Sequence, residues 1–430
     1  MGSDGRGVGI DFGTTNSAVA VASGGGARLA RFASAAGPTA VFRSILFFHP
    51  DERERNGRLV PAAGPEALDR WLEAAGAGRL MQSLKSFLSS RLFTSTNVFG
   101  TTLSLETLIA YLVRALREGA ERDLGPLGSR AVVGRPVRFV GGDEADEALA
   151  LLRLRRAFAA AGFSEVEFEH EPVAAAWHYE RGLDHDELVL IGDFGGGTSD
   201  FCLLQVGPGV RRRRDGEALV LGTEGVGLAG DAFDGRIVRH VVAPELGQGG
   251  EFRSIFGRVL PVPAWLYKHL ERWHHLVFLR APDTLHLLHQ LRKEALDPAP
   301  LEALIHVVDH DLGFALHRSV EATKHALSGA SLARFAFEDG PIGIEAPVAR
   351  GDFEDWIGPE VRAIEACVDR LLGATNVAPK EVDRVFLTGG SSLVPAVRRV
   401  FESRFGAEKL RSGGELTSVA SGLALRAAAG

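Results

Sequence analysis

The sequence predicts an α/β chain built from two similar halves that face each other across a cleft. Three observations carry this. First, two strand–turn–strand segments share one plan. Val8-Gly9-Ile10 leads through Asp11-Phe12-Gly13-Thr14-Thr15-Asn16 into Ala18–Ala22. Leu188–Ile191 leads through Asp193-Phe194-Gly195-Gly196-Gly197-Thr198 into Phe201–Val206. The two aspartates stand about 180 residues apart, the mark of a motif used once in each half. Second, strands alternate with amphipathic helices. Val132-Val133 reads as a strand between helices at Ser104–Asp123 and Glu144–Ala161, and a helix follows at Pro172–Glu180. In the first helix Leu105, Leu108, Ile109, Leu112, Val113 and Leu116 share one face. Third, Trp265–Leu327 is helical in pattern, broken at Pro282, Pro298 and Pro300, as an inserted helical subdomain would be. A helix at Asp231–His240 precedes it. Strands in Leu332–Ile344, a helix at Asp352–Leu372, a strand at Arg384–Thr388 and helices at Leu393–Arg404 and Leu416–Ala428 follow.

Bulk properties narrow the classes. With 430 residues, 45% hydrophobic and 24% charged, the chain can bury a full core without metal or disulfide staples. A net charge of −7 argues against nucleic-acid binding. The basic run Arg211–Arg214 reads as a solvated hairpin turn. Cys202 and Cys367 are far apart and outside any C-x-x-C, and Cys202 sits in an apolar run as a buried small residue. No signal-peptide or membrane-spanning run is visible, so a cytoplasmic protein is expected. There are six lysines, and Lys85 alone lies in the first half.

The two turns hold chemistry-bearing residues. Glycines let backbone N–H groups approach an anion, threonine hydroxyls add donors, and a strand-end aspartate suits a hydrated Mg²⁺. A single D-x-G-T turn is also what a tight hairpin uses. Two copies, with paired acids and three consecutive glycines, exceed that need. No Gly-Lys dipeptide exists, which excludes a P-loop. Gly225-Val226-Gly227-Leu228-Ala229-Gly230 matches a dinucleotide fingerprint by pattern but lacks its βαβ setting. It reads better as a phosphate-wrapping loop before the helix that starts at Asp231. His269, His274, His275, His286, His289, His306 and His310 read as surface or interface residues. His306 and His310 are spaced as metal ligands, but Val307 stands where a H-E-x-x-H motif has glutamate.

The motifs together resemble the nucleotide-binding part of DnaK-type heat-shock chaperones. Gly9–Ser17 is similar to that family's first phosphate motif and Ile191–Asp200 to its second. Glu171-Pro172-Val173-Ala174-Ala175-Ala176 resembles its first connecting helix, and Ser418-Val419-Ala420-Ser421-Gly422 its second. Leu228–Asp234 resembles the loop entering the second half's helices. Glu321–Ser328 and Leu387–Pro395 resemble the two adenosine motifs. The segments Arg79–Leu88 and around Trp265, Glu271 and Trp273 resemble the YegD branch of the family.

The resemblance implies an actin-like ATPase fold with two lobes, residues 1–183 and 184–430, a nucleotide cleft between them, and a mostly helical subdomain at 231–330. It implies ATP or ADP with Mg²⁺ as ligand. By the resemblance, Asp11 and Asp193 position the metal ion. Gly13, Thr14, Thr15, Asn16, Gly195, Gly196, Gly197 and Thr198 hold the phosphates. Glu171 and Asp200 orient the attacking water or bind a cation, and Thr198 lies near the γ-phosphate. Gly230, Asp231, Glu321, Lys324, His325, Ser328, Gly389, Gly390, Ser391 and Leu393 form the rest of the nucleotide site. Glu321, Lys324 and Ser328 share one helix face by spacing.

The chain also departs from the family pattern. The family's catalytic lysine follows a G-x-A-A stretch, whereas Ala63–Leu68 here holds none. Lys85 either replaces that charge or lies on the surface. Its S-L-K-S-F-L context reads as a helix outside the cleft, so the surface is expected, and Arg43 is a second candidate. The sequence given ends at Gly430, after the last shared motif, so no peptide-binding sandwich is expected. The resulting expectation is a chaperone-like nucleotide switch with weak ATPase activity. It would have a protein partner or co-chaperone and no nucleic-acid or membrane partner. A sugar kinase of the same fold, using Asp231 or Asp234 as base, and an actin-like filament protein are the competing readings, and a dehydrogenase is remote.

Overall fold

The computed structural model describes residues 6–24, 26–34, 37–74, 78–139, 144–180, 182–213, 219–254, 256–272, 275–310, 312–411 and 418–429. Trp273, His274, Arg214 and Leu416 lie outside the described residues. The chain groups into two compact units. One comprises Met1–Ala229, Ala363–Leu393 and Val397–Gly430, and the other Gly230–Arg362 with Val394–Ala396.

The first unit holds two sheets of one design. In the first, Gly7–Phe12 pairs antiparallel with Asn16–Ser23, which pairs antiparallel with Gly26–Leu29. On its other side Gly7–Phe12 pairs parallel with Arg130–Arg135, and that strand parallel with Glu165–His170. In the second sheet Glu187–Phe194 pairs antiparallel with Ser199–Val206, which pairs antiparallel with Leu219–Val226. Its other neighbour is the parallel strand Arg384–Thr388, followed by Leu410–Arg411. Five strands thus recur in the same order and directions, as the echoed turns predicted. Phe42–Arg43 adds a short strand against Asn16–Ser17 in the first sheet.

Helices cover these sheets through small residues. The closing helix Ser418–Ala429 lies directly on Gly7–Phe12: a Cβ at Gly9 would sit 2.1 Å from the Ala424 nitrogen. A Cβ at Gly422 would sit 1.6 Å from the carbonyl oxygen of Ala174. Ala18, Ala20, Ala22, Ala420 and Ala424 are all buried at this seam, so the backbones approach more closely than larger side chains would permit. Helix Leu105–Leu124 forms because its apolar stripe is buried, Ser104 caps its N-terminus by accepting from the Thr107 N–H at 3.1 Å, and Gly125 ends it at φ 77°.

The second unit is mostly helical with two hairpins, Glu251–Arg253 with Val259–Pro261 and Leu332–Asp339 with Ile342–Ala349. Pro282 opens helix Pro282–Glu294, while Pro298 and Pro300 flank the start of Ala299–Asp309. The prolines therefore mark helix beginnings, where no N–H is missed. The expected helix Asp352–Leu372 is instead two helices, Arg350–Trp356 and Gly358–Thr375, broken at Ile357. The run expected as a hairpin turn at Arg211 opens with a short helix, Pro208–Arg213, inside the link between two antiparallel strands. No described helix is long and apolar enough to cross a membrane.

Candidate functional site

The first turn is built on a steric requirement. Strand Gly7–Phe12 must reverse within a few residues to pair Phe12 with Ser17. A Cβ at Gly13 would lie 2.0 Å from the Asn16 carbonyl oxygen, so only glycine fits. Thr14, Thr15 and Asn16 are half-buried around it. The Thr15 carbonyl accepts from the Ser44 N–H at 2.9 Å, and Asn16 stands opposite Arg43 in the ladder. The second turn is closed by the Gly195 N–H donating to the Thr198 carbonyl at 2.9 Å. It is less crowded, since a Cβ at Gly195 would meet that carbonyl oxygen at an ordinary 3.5 Å. Gly389 passes directly over Phe194 with φ 83°, and a Cβ there would lie 2.0 Å from the Phe194 carbonyl oxygen. Beside it Ser391 is buried, while Gly390 and Leu393 are exposed.

Between the ends of the two sheets lies a cluster of charge. Lys85 donates to Glu171 at 2.6 Å, and both side chains are more than nine-tenths buried. Asp11, Asp193 and Asp200 share its electrostatic surroundings. Burial, then repulsion from Glu171, holds the Asp11 carboxyl well above the ordinary carboxylate range, with Lys85 opposing. The same two causes push Asp193 up to about 6, against the Thr388 hydroxyl and Lys85. They push Asp200 up to about 8, with a hydrogen bond from Thr198 acting against them. One Asp200 oxygen is also caged by the N–H groups of Val137 at 2.8 Å and Arg138 at 3.3 Å. Gly225 leaves that oxygen room, since a Cβ there would lie 2.7 Å from it. Burial alone would lower Lys85, but Glu171 and Asp11 more than offset it, so the ammonium is held charged.

The burial of Lys85 corrects the expectation that it lies on the surface. The segment is not an exposed helix. Ser83 adopts a left-handed conformation at φ 56°, and Leu84–Phe87 forms a single 3₁₀ turn that drives the lysine inward. The buried Arg153 guanidinium pins the turn from behind by donating to the carbonyls of Leu88 at 2.9 Å and Ser90 at 2.8 Å. The one available signal was scarcity, because no other lysine lies in that half of the chain. Arg43, the second candidate, is half-buried on its short strand beside Asn16.

In the second unit, Lys324 pairs with Asp234 at 2.8 Å. Burial raises Asp231 to about 6, with Asp234 adding and Lys324 opposing. Glu321, Lys324 and Ser328 are half-buried on helix Gly313–Gly329, whereas His325 points to solvent. Gly230 and Asp231 open helix Gly230–Ile237. His306 bonds Asp339 at 2.8 Å and its ring lies 3.9 Å from that of His310.

Comparison with known proteins follows the same lines. The family model described as Hsp70 protein matches residues 83–248 and 309–429. Two similar relatives are the chaperone protein DnaK of Deinococcus deserti, 26% identical over 441 residues, and that of Thermus thermophilus, 26% identical over 438. Each match takes in 98% of this chain, but 59% and 60% of those relatives, so the chain spans about three-fifths of their length. Two sheets that share five strands in the same order and carry matched Asp-Phe-Gly turns, read with a family match over most of the sequence, lead to one conclusion: the chain belongs to the Hsp70 family and has the actin-like ATPase fold.

Proposed function

We propose that this protein binds ATP and ADP with Mg²⁺ and works as a nucleotide-dependent switch with slow hydrolysis. The observation that carries the reading is the buried Lys85–Glu171 pair set among Asp11, Asp193 and Asp200. Four carboxylates against one lysine leave an excess of negative charge that a divalent cation would offset. The donor set suits Mg²⁺ in particular. Among the described residues no group of three His, Cys, Asp or Glu could wrap a metal ion directly. Mg²⁺ keeps most of its waters and takes only one or two carboxylates, here Asp11 and Asp193. When bound, it would neutralise phosphate charge.

The protein's own groups divide the remaining work. Backbone N–H groups of the two glycine turns, with the hydroxyls of Thr14, Thr15 and Thr198, bind phosphate oxygens. Glu171 and Asp200 orient a water. Lys85, which lies within the segment matched by the family model, supplies positive charge beside the phosphates, and Glu171 fixes where that charge sits. Glu321, Lys324 and Ser328 with Gly389, Gly390 and Ser391 hold the nucleoside. Lobes at 1–183 and 184–430 that close differently on ATP and ADP would let a partner read the nucleotide state. The placement nearest the YegD branch belongs to the same proposal.

Calorimetric titration with ATP and ADP, with and without Mg²⁺, tests this. Binding that tightens with Mg²⁺ is expected, and Asp193→Asn should remove roughly 10–100-fold of that tightening. No binding of either nucleotide at millimolar concentration would overturn the reading. Single-turnover hydrolysis then measures the catalytic part, with Lys85→Gln expected to slow turnover more than it weakens binding.

A further inference from the structure

The second sheet holds its aspartate in a way the first does not. Strands Glu187–Phe194 and Arg384–Thr388 run parallel, with Asp193 paired to Thr388. The Thr388 hydroxyl donates to Asp193 Oδ1 at 2.7 Å and is buried, with 3% exposure. In the first sheet Gly9 pairs with Val132 and Ile10 with Val133. The ladder pairing ends there, and the next residue of the neighbouring strand on the Asp11 side, Gly134, has no side chain to offer. A Cβ at Gly134 would instead press on the Glu171 side chain at 3.1 Å.

We infer that Thr388 is a positioning residue for Asp193, locking one carboxylate oxygen so that the other is presented at a fixed angle to a hydrated cation. Packing does not call for the hydroxyl. A buried strand end accepts valine as readily as threonine, and a buried hydroxyl is tolerated only when it is bonded. Asp193 needs such a hold. It is half-buried and repelled by Glu171, so an untethered carboxylate would swing away from the neighbouring charge. A hydrogen bond across a register-locked parallel ladder removes that freedom without adding a charge that would compete with the cation. Outer hydrogen-bond partners of this kind orient the group that meets the ion.

The inference rests on the nucleotide reading above, and its test separates the two. ADP affinity is measured by calorimetry with and without Mg²⁺ for the wild type, Thr388→Val, Thr388→Ala and Thr388→Ser, with thermal unfolding recorded in the absence of ligand. Thr388→Val and Thr388→Ala are expected to lose about tenfold of the Mg²⁺-dependent gain in affinity while keeping the Mg²⁺-free affinity. Thr388→Ser, which retains the oxygen, is expected to restore the gain. The alanine variant guards against a valine that disturbs folding. An unchanged gain in both Val and Ala variants would overturn the inference and leave the nucleotide reading intact. So would an equal loss with and without Mg²⁺, or a serine variant as weak as valine. A wild-type protein with no Mg²⁺-dependent gain would overturn both.

Discussion

The two large sheets of the first unit share the order and direction of five strands, yet they furnish their strand-end aspartates differently. Just past the last ladder pair before Asp11, the neighbouring strand carries Gly134, and the space it leaves admits Glu171 and, through it, Lys85. Beside Asp193 the equivalent strand carries Thr388, whose hydroxyl bonds the carboxylate directly. Even the glycine turns differ, with Gly13 sterically obligatory and Gly195 not. A repeated backbone plan sets two acids in matching places, and the difference in their neighbours gives one half a cation and the other a tether. The chemistry lies in the asymmetry.

The largest expected effect comes from removing that cation. Lys85→Met leaves Glu171 buried and unpaired, which should cost about 3–5 kcal/mol in urea unfolding. Adding Glu171→Leu to it should recover most of the loss, because an apolar pair replaces the ion pair. If the two losses simply add, the pair is not coupled. A smaller effect should separate the two turns. Gly13→Ala forces backbone movement and is expected to cost roughly 1–3 kcal/mol, while Gly195→Ala should stay within about 0.5 kcal/mol. Equal costs would remove the distinction between the turns.

The smallest effect is a slope with pH. Asp193 at about 6 and Asp200 at about 8 both lie above their ordinary 3.8. In Mg²⁺-free protein the folded state therefore keeps protons that the unfolded chain has released. Their contribution to stability is full below 3.8 and is lost as pH rises through the folded values. His170 works the other way: burial and Arg135 lower it to about 4, so it adds stability as pH climbs from there to its ordinary 6.5. Above 6.5 the histidine no longer changes, and stability should fall toward pH 8 by up to about 1.4 kcal/mol per pH unit for each carboxylate still titrating. Asp200→Asn should flatten this decline in urea midpoints. A stability that rises over this window, or a decline unchanged in the variant, would show that Asp200 is ionised in the folded state.

Local pattern made much of this legible. The twin turns could be read because alternating apolar strands flank them, and helix Leu105–Leu124 because its stripe and Ser104 cap agree. Lys85 could not be read. Its burial depends on one left-handed residue, Ser83, and on Arg153 from a helix some 70 residues away. The bond between Thr388 and Asp193 was equally hidden, because it depends on the register of two strands far apart in sequence. The short strand Phe42–Arg43 and the three-stranded sheet around Ile45–Phe48 are too small to rise above their surroundings.

The seam between Gly7–Phe12 and Ser418–Ala429 has a consequence for how the chain folds. The helix that covers the strand bearing Asp11 is made on the order of 400 residues after it. During synthesis that sheet stays uncovered on one face until Ser418–Ala429 has emerged, a long exposure for a row of small apolar residues. The site thus waits on a helix made far from it in sequence, and a chain that stalls before Ser418–Ala429 carries the acids of the cluster without the layer that holds the first of them in place.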